Sequence, residues 1–462
     1  MKIWIHPFRL SCLAWVLLLS ASLEGQPHEL RENTWSNPEF VNWFTGSYAF
    51  NGQVNPRINS DEEALFKEIA GLMQNQPGAA IAAIETYIEE VGKEADGDYS
   101  PALDYTLGSL HLQGGSLRMA IAQYEKAIDR FPTFQRAFQN LGLARVQAGN
   151  HAEAIPALTK AIELGANSGT VWGLVGFSYL NLGKPTQALS AYNQALLFQP
   201  ESGDWKTGKL NALLDAGQLD KALSLLDEML EEDPDASNLW LQQANAFLGK
   251  GRTLEAAANL EWVARQGGAS AQSFLLLGDI YLNEGMPPLA VGAYEAALAT
   301  GDLGVDRLLT VVDNFFVRGA TGQAETFLET IRETFDAELT DAEELRALNL
   351  EAQVALSEGR REEAAGLLES IIERDPLNGS ALISLGDYYR DTGKSELALL
   401  QYERATRVEE VEVRALLALG RLHVAEKDYR EALRFLREAQ VIEPRSYVAD
   451  YIDQLERVVR SL

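Results

Sequence analysis

Histidine is the residue type in this chain best suited to bind a metal or to act as a general base, and the chain contains only five. His28 and His151 have no second potential ligand at a zinc-binding spacing. His111 and His423 occupy equivalent positions of a repeating pattern at which other copies carry tyrosine, so we expect both to line a core. The sequence therefore predicts no metal site.

Residues 203–210, with the sequence GDWKTGKL, come close to a phosphate-binding loop. Such a loop needs a serine or threonine hydroxyl at its last position to hold magnesium, and Leu210 stands there. The stretch also falls within a predicted helix rather than after a strand. Cys12 is the only cysteine and no Gly-x-Ser-x-Gly motif occurs, so no nucleophile is indicated. We expect neither catalytic residues nor a cofactor.

The elements that carry these residues repeat with a fixed period of 34 residues. Alanine recurs at each step, with one insertion of six residues between the seventh and eighth copies. The recurring alanines are Ala120, Ala154, Ala188, Ala222, Ala256, Ala290, Ala324, Ala364, Ala398 and Ala432. A period of this length indicates stacked supersecondary units.

Counting from Pro101 as the first place, the recurring alanine is at the twentieth place of each unit. Tyr or Leu stands at the twenty-fourth place and an apolar residue at the twenty-seventh, which is the spacing of one helix face. The eighth place is Gly or Ala except at Leu210 and Val312. We predict a helix-turn-helix whose small residues let the two helices approach closely. We expect Leu210 and Val312 to separate them.

This pattern resembles the tetratricopeptide repeat (TPR) family, whose signature is Trp, Leu-Gly, Tyr, Ala, an aromatic residue and Pro. The unit that begins at Gly169 carries Trp172, Val175, Gly176, Tyr179, Ala188, Tyr192, Ala195 and Pro200. Ten such units cover about three quarters of the chain, from Pro101 to Pro444. The resemblance implies an all-α fold, a right-handed solenoid of helix-turn-helix repeats whose first helices line a concave groove.

We predict the following organisation along the chain. A signal peptide (1–22) precedes an aromatic-rich segment with a short helix (23–59), a divergent helical pair (60–100), seven repeats (101–338), three repeats (339–444) and a C-terminal capping helix (445–462). At the insertion, Thr340 and Glu343 match a capping box. We expect a lengthened helix there that sets a bend, and a longer loop is the alternative.

The predicted signal peptide begins with Lys2 and Arg9 and continues with an apolar run, Leu10 to Leu19, that is shorter than the ~20 residues of a membrane span. We therefore expect an exported protein, periplasmic or extracellular, without an integral membrane span in the mature chain. Retention at the membrane by an uncleaved signal is the alternative. The net charge of −28 excludes nucleic acid as a partner, because phosphates and carboxylates repel.

Two surfaces remain as candidates for partner binding. The resemblance implies that ligands contact the ninth place of the first helices, where we single out Phe177, Asn211, Asn245, Asp279, Asp313 and Asp387. Asparagine amides suit the backbone of an extended segment, and aspartates favour basic residues. The second surface is the aromatic segment with Trp35, Phe40, Trp43 and Phe44, which either covers the first repeats or binds a partner.

The sequence thus predicts a non-enzymatic scaffold or adaptor of the bacterial-type cell envelope that binds protein partners, with basic or extended segments, in the groove. A module that binds a cell-wall or exported polysaccharide is the alternative. The polar ninth-place residues could also simply solvate an open groove. We expect that replacing Asn211, Asn245 and Asp279 together weakens partner binding without unfolding the chain. The sequence leaves the partner and the oligomeric state open.

Overall fold

The structure is a computed structural model that describes residues 56–93, 98–301, 303–335 and 339–461. Within these ranges the regular elements are helices, and no strand occurs. The signal peptide and the aromatic residues Trp35, Phe40, Trp43 and Phe44 lie outside the described residues. The chain divides into two compact units, Met1–Arg252 and Thr253–Leu462.

Among its described residues, the first unit has three helices ahead of the repeats and then the helical pairs of the repeats. These helices are α1 (Ser60–Ala70), α2 (Leu72–Asn75), α3 (Pro77–Val91), α4 (Pro101–Gln113), α5 (Leu117–Arg130), α6 (Gln135–Gln147), α7 (His151–Glu163), α8 (Gly169–Asn181), α9 (Pro185–Phe198), α10 (Gly203–Asp215), α11 (Leu219–Glu232) and α12 (Ser237–Gly249).

The second unit continues the same alternation of first and second helices. Its helices are α13 (Thr253–Arg265), α14 (Ala271–Asn283), α15 (Pro287–Ala299), α16 (Val305–Val317), α17 (Thr321–Phe335), α18 (Asp341–Ser357), α19 (Arg361–Arg374), α20 (Gly379–Asp391), α21 (Ser395–Ala405), α22 (Glu412–Ala425), α23 (Tyr429–Ile442) and α24 (Ser446–Ser461), with a short 3₁₀ helix at Glu409–Val411.

A left-handed residue at the fifteenth place ends the first helix of every repeat. At Gly149 the backbone has φ 76°, and the next amide, that of Asn150, donates to the carbonyl of Arg145 at 2.8 Å. Glycine suits this place because it has no Cβ to clash in the left-handed region. Nine repeats have glycine there, and the last has Lys427 at φ 65°. The turn therefore recurs in every copy and sets the 34-residue period.

The eighth-place glycines let the twenty-fourth side chain of the same repeat lie directly on the first helix. A Cβ atom at Gly278 would lie 2.5 Å from the ring of Tyr294, far inside van der Waals contact. Leu210 and Val312 fill this place in other repeats, and both are fully buried. The expectation that larger residues separate the helices stays a prediction.

The six-residue insertion lengthens helices. Helix α18 has 17 residues, whereas the first helix of an ordinary repeat has 13, and α17 before it has 15. Thr340 and Glu343 form the predicted capping box, in which each side chain accepts from the other residue's backbone N–H. Arg332 of α17 donates to Glu351 of α18 at 2.6 Å. The lengthened helix is confirmed, and the bend stays a prediction.

Additional helices pack against the outermost repeats of each unit. Residues of α1 and α3 share an apolar cluster with the buried side chains of α4, among them Ile69, Ile84 and Leu103. At the other end of the chain, Val448 and Ile452 of α24 pack in one cluster with Leu436. Burying apolar faces against neighbouring units is what stabilises a repeat protein. In the described part of the chain, no helix is long and apolar enough to cross a membrane.

Candidate functional site

The ninth place of the first three repeats is buried. Ser109 and Leu143 are buried, and Phe177 of α8 is only 9% exposed. The ring of Phe177 meets the imidazole of His151 edge-on, with their centroids 5.6 Å apart. Burial also lowers the pKa of His151. These contacts leave little of the Phe177 ring available to a ligand.

The next two repeats present free amides at the same place. Asn211 of α10 is half-buried and Asn245 of α12 is exposed. Neither side-chain amide has a hydrogen-bond partner among the described residues. The residue at the twenty-fourth place of the Asn211 repeat, Leu226, is a buried leucine that offers no hydroxyl. Both amides keep their full capacity to donate and to accept a hydrogen bond.

Helix α12 adds neighbouring groups of the same chemistry to Asn245. Asn238 is exposed and lies about two helical turns before Asn245, on the same face of the helix. Leu241 is half-buried between them. Gln242 is also half-buried, and its Oε1 atom is fully buried without a hydrogen-bond partner. A polar atom left in this state costs free energy, and because it is buried it is not presented to a ligand.

In the second unit, Asp279 of α14 serves its own repeat. The hydroxyl of Tyr294 donates to Asp279 Oδ1 at 2.7 Å. Burial raises the pKa of Asp279, and the hydrogen bond from Tyr294 offsets part of that rise. Burial also raises the pKa of Tyr294, and the neighbouring carboxylate adds to the effect. The carboxylate is thus tied to the packing of the repeat.

The other two ninth-place aspartates of the second unit also have partners within the protein. Asp387 accepts a hydrogen bond from Tyr402 and another from Arg390, both at 2.7 Å. Asp313 accepts from Arg346 of the following repeat at 2.6 Å, and Arg346 also binds Asp306. The idea that this row selects basic segments stays a prediction, but its carboxylates already accept hydrogen bonds from donors within the protein.

One rule links three places of the repeat. Tyrosine occurs at the twenty-fourth place only where the eighth place is glycine, and its hydroxyl donates to the ninth place in three of these four repeats, the exception being Tyr192, whose ninth place is Phe177. In the first repeat Tyr124 donates to Ser109 at 3.1 Å, as Tyr294 and Tyr402 do to their aspartates. The sequence contains this signal, but it is visible only when the three places are compared within a repeat. Inspecting each place separately across the repeats misses it.

The chemistry-bearing residues of the sequence have packing roles. The near-miss phosphate loop lies inside α10, where Lys206 is buried and donates to Glu232 at 2.7 Å. His423 stacks on Phe435, with the ring centroids 5.5 Å apart, and His111 is half-buried. In the part of the chain that the structure describes, no group of three His, Cys, Asp or Glu side chains could hold a metal ion.

The fold and these surfaces define a helical-repeat protein whose first helices carry the free polar groups. A family model for the tetratricopeptide repeat matches residues 105–169, 177–237, 241–304, 349–407 and 383–447. The chain belongs to the tetratricopeptide repeat family, whose repeats are protein-interaction modules, and no catalytic family is indicated. This confirms the predicted all-α solenoid of helix-turn-helix repeats.

Several solved structures match the chain at low sequence identity and with TM-scores below 0.5. A TPR protein from Parabacteroides merdae ATCC 43184 is 17% identical, with a TM-score of 0.37 over 53% of this chain and 94% of its own. The structure of Naa15/Naa10 bound to HypK-THB matches at 15% identity, with a TM-score of 0.44 over 86% of this chain and 66% of the matched chain. YrrB, a TPR protein with an unusual peptide-binding site, is 21% identical, with a TM-score of 0.35 over 47% of this chain and 100% of its own. No curated protein matches the chain.

Proposed function

We propose that this protein is a non-enzymatic scaffold that holds an extended segment of a partner protein against α10 and α12. The observation that carries the proposal is the pair of unpartnered amides, Asn211 and Asn245, at the same place of successive repeats. They sit in a family whose repeats are interaction modules. The aspartates at this place of the second unit have internal partners, so the proposed contact surface is in the first unit.

The amide side chain matches the peptide group, because each carries one acceptor oxygen and an N–H donor. An extended segment leaves its backbone N–H and C=O groups free to pair with such side chains. Each hydrogen bond contributes about 1 kcal/mol net. The half-buried Leu241 and Leu248 would add apolar contact beside the amides. Several repeats acting together then give affinity without a deep pocket.

We also propose that the scaffold is exported and acts in the cell envelope, as a periplasmic or extracellular protein. The charged start with Lys2 and Arg9 and the apolar run that follows support this, and so does the absence of cysteine after Cys12. The aromatic segment with Trp35 and Trp43 is the second proposed contact for a partner. Limited proteolysis tests it: loss of binding when this segment alone is removed would support the role.

Site-specific cross-linking in intact cells tests the groove proposal. A photoreactive amino acid would replace Asn245, and in a second strain it would replace Val441, which is 82% exposed in the other unit. We expect a protein captured at position 245 and absent at position 441. The same captured set at both positions would contradict the proposal. Retention on cell-wall polysaccharide that disappears in Asn211→Ala/Asn245→Ala would favour the alternative of a polysaccharide-binding module.

A further inference from the structure

Helix α12 differs from the chain around it in its charge. In the whole sequence 23% of the residues are charged, yet Ser237–Gly249 contains no ionisable side chain over its 13 residues. Its exposed and half-buried groups on the ninth-place face are amides and leucines, namely Asn238, Leu241, Gln242, Asn245 and Leu248. Helices α8 and α9 also lack charged residues, but the ninth-place residue of α8, Phe177, is buried, whereas α12 presents an exposed amide on its neutral face.

The neighbouring helix α10 brings no free charge to the middle of the site. Asp204 and Asp215 lie near its two ends, and each interacts with other groups of the protein. Lys209 lies two residues before Asn211, about 200° around the helix, and so points to the other side. Lys206 is buried and paired with Glu232. The centre of the surface is therefore neutral on both helices.

We infer that the part of the partner segment lying against α12 is uncharged. This inference rests on the proposed function and names the chemistry of its ligand. A lysine, arginine or carboxylate pressed onto α12 would lose hydration without gaining an opposite charge, which costs free energy. A neutral segment avoids that cost, and its backbone groups can pair with the exposed amide of Asn245. The surface selects against charge of either sign.

A peptide-display selection on the full-length protein tests the inference. Peptides would be selected on the wild type and counter-selected on Asn211→Ala/Asn245→Ala, which isolates the sequences that depend on these amides. We expect those peptides to be uncharged in their central residues. Their affinity should change less than twofold between ~50 and ~500 mM NaCl, because few ion pairs form. Placing a lysine or a glutamate at the centre should weaken binding about tenfold.

A matched variant separates this inference from the proposed function. Asn245→Asp adds one carboxylate without changing the size of the side chain, and we expect it to select peptides with lysine or arginine and to make binding salt-dependent. Site-dependent peptides that are already basic or acidic on the wild type would overturn the inference and leave the groove proposal intact. If no peptide depends on Asn211 and Asn245, or if only neutral oligosaccharides do, both proposals fail.

Discussion

The polar residues at the ninth place of the repeat differ in their hydrogen bonding between the two compact units. In the first unit, Asn211 and Asn245 have no hydrogen-bond partner among the described residues. In the second unit, Asp279 and Asp387 accept hydrogen bonds from buried tyrosines of their own repeats. The same position in the repeat therefore carries an unpaired amide in these repeats of one unit and a hydrogen-bonded carboxylate in the other. A family-wide position alone does not identify a ligand contact.

The residue at the twenty-fourth place accounts for this difference. A tyrosine there brings a buried hydroxyl that needs an acceptor, and the ninth place is the nearest position that can supply one. A leucine, such as Leu226, makes no such demand, and the ninth-place side chain of its repeat, Asn211, has no hydrogen-bond partner among the described residues. The predictions below test this account, beginning with the largest expected effect.

Changing the eighth-place residue should lower the free energy of unfolding in both units. Gly278→Leu would drive a side chain into the ring of Tyr294, and we expect the free energy of unfolding to fall by about 3 kcal/mol. In the first unit the reverse change, Leu210→Gly, should cost at least as much, since it removes a fully buried side chain. Urea denaturation followed by circular dichroism measures both. A variant of wild-type stability would contradict the packing rule.

Removing a tyrosine hydroxyl should lower the free energy of unfolding only where the ninth-place side chain accepts a hydrogen bond from it. Tyr294→Phe leaves the buried carboxylate of Asp279 without its donor and should lower the free energy of unfolding by about 2 kcal/mol. Tyr192→Phe is the matched control, because the ninth place of that repeat is Phe177. We expect a change there of less than about 0.5 kcal/mol. Equal losses in the two variants, measured by the same denaturation, would break the comparison.

The pH dependence of the stability should reflect the titration of the half-buried carboxylate of Asp279. Burial raises its pKa in the folded protein, so the group favours folding most when it is protonated, and that contribution is lost as the pH rises through the raised pKa. Asp279→Asn keeps an acceptor for Tyr294 and removes the charge. We expect the variant to have the higher melting temperature at pH 7, and this advantage to shrink towards pH 4. An advantage that grows on acidification would be inconsistent with the burial effect.

Breaking an ion pair at the surface of the second unit should have the smallest effect. Arg346 and Asp313 have side-chain exposures of 31% and 45%, so Arg346→Met should cost only about 0.5 kcal/mol. The change would, however, leave the carboxylates of Asp306 and Asp313 without this cation. We therefore expect longer retention of the variant on an anion-exchange column than of Arg361→Met, which loses one positive charge elsewhere in the unit. Equal retention of the two variants would contradict this expectation.

The local fold follows from the sequence to a large extent. The alanine period, the small eighth place and the recurring turn determine the helical pairs, because each depends on residues close together in the chain. The capping box of Thr340 and Glu343 is a local signal of the same kind, and it forms. These features need no knowledge of distant contacts. They are therefore readable from one chain.

The roles of the ninth-place residues were harder to predict because they depend on pairs of places. The sequence marks Asp279 and Asn245 alike as polar groove residues, and only the partner at the twenty-fourth place separates them. Phe177 becomes buried through a contact with His151 of the preceding repeat, which no period reveals. The division of compact units at Arg252 also depends on contacts summed over many helices.

The central claim is that free amides bind the partner while paired aspartates hold the repeats together. Its most direct test compares two double variants, Asn211→Ala/Asn245→Ala and Asp279→Asn/Asp387→Asn, for affinity towards the cross-linked partner and for melting temperature. We predict that the asparagine variant loses at least about tenfold in affinity at an unchanged melting temperature. The aspartate variant should keep its affinity and change its melting temperature. Loss of affinity in the aspartate variant, with full binding by the asparagine variant, would contradict the account.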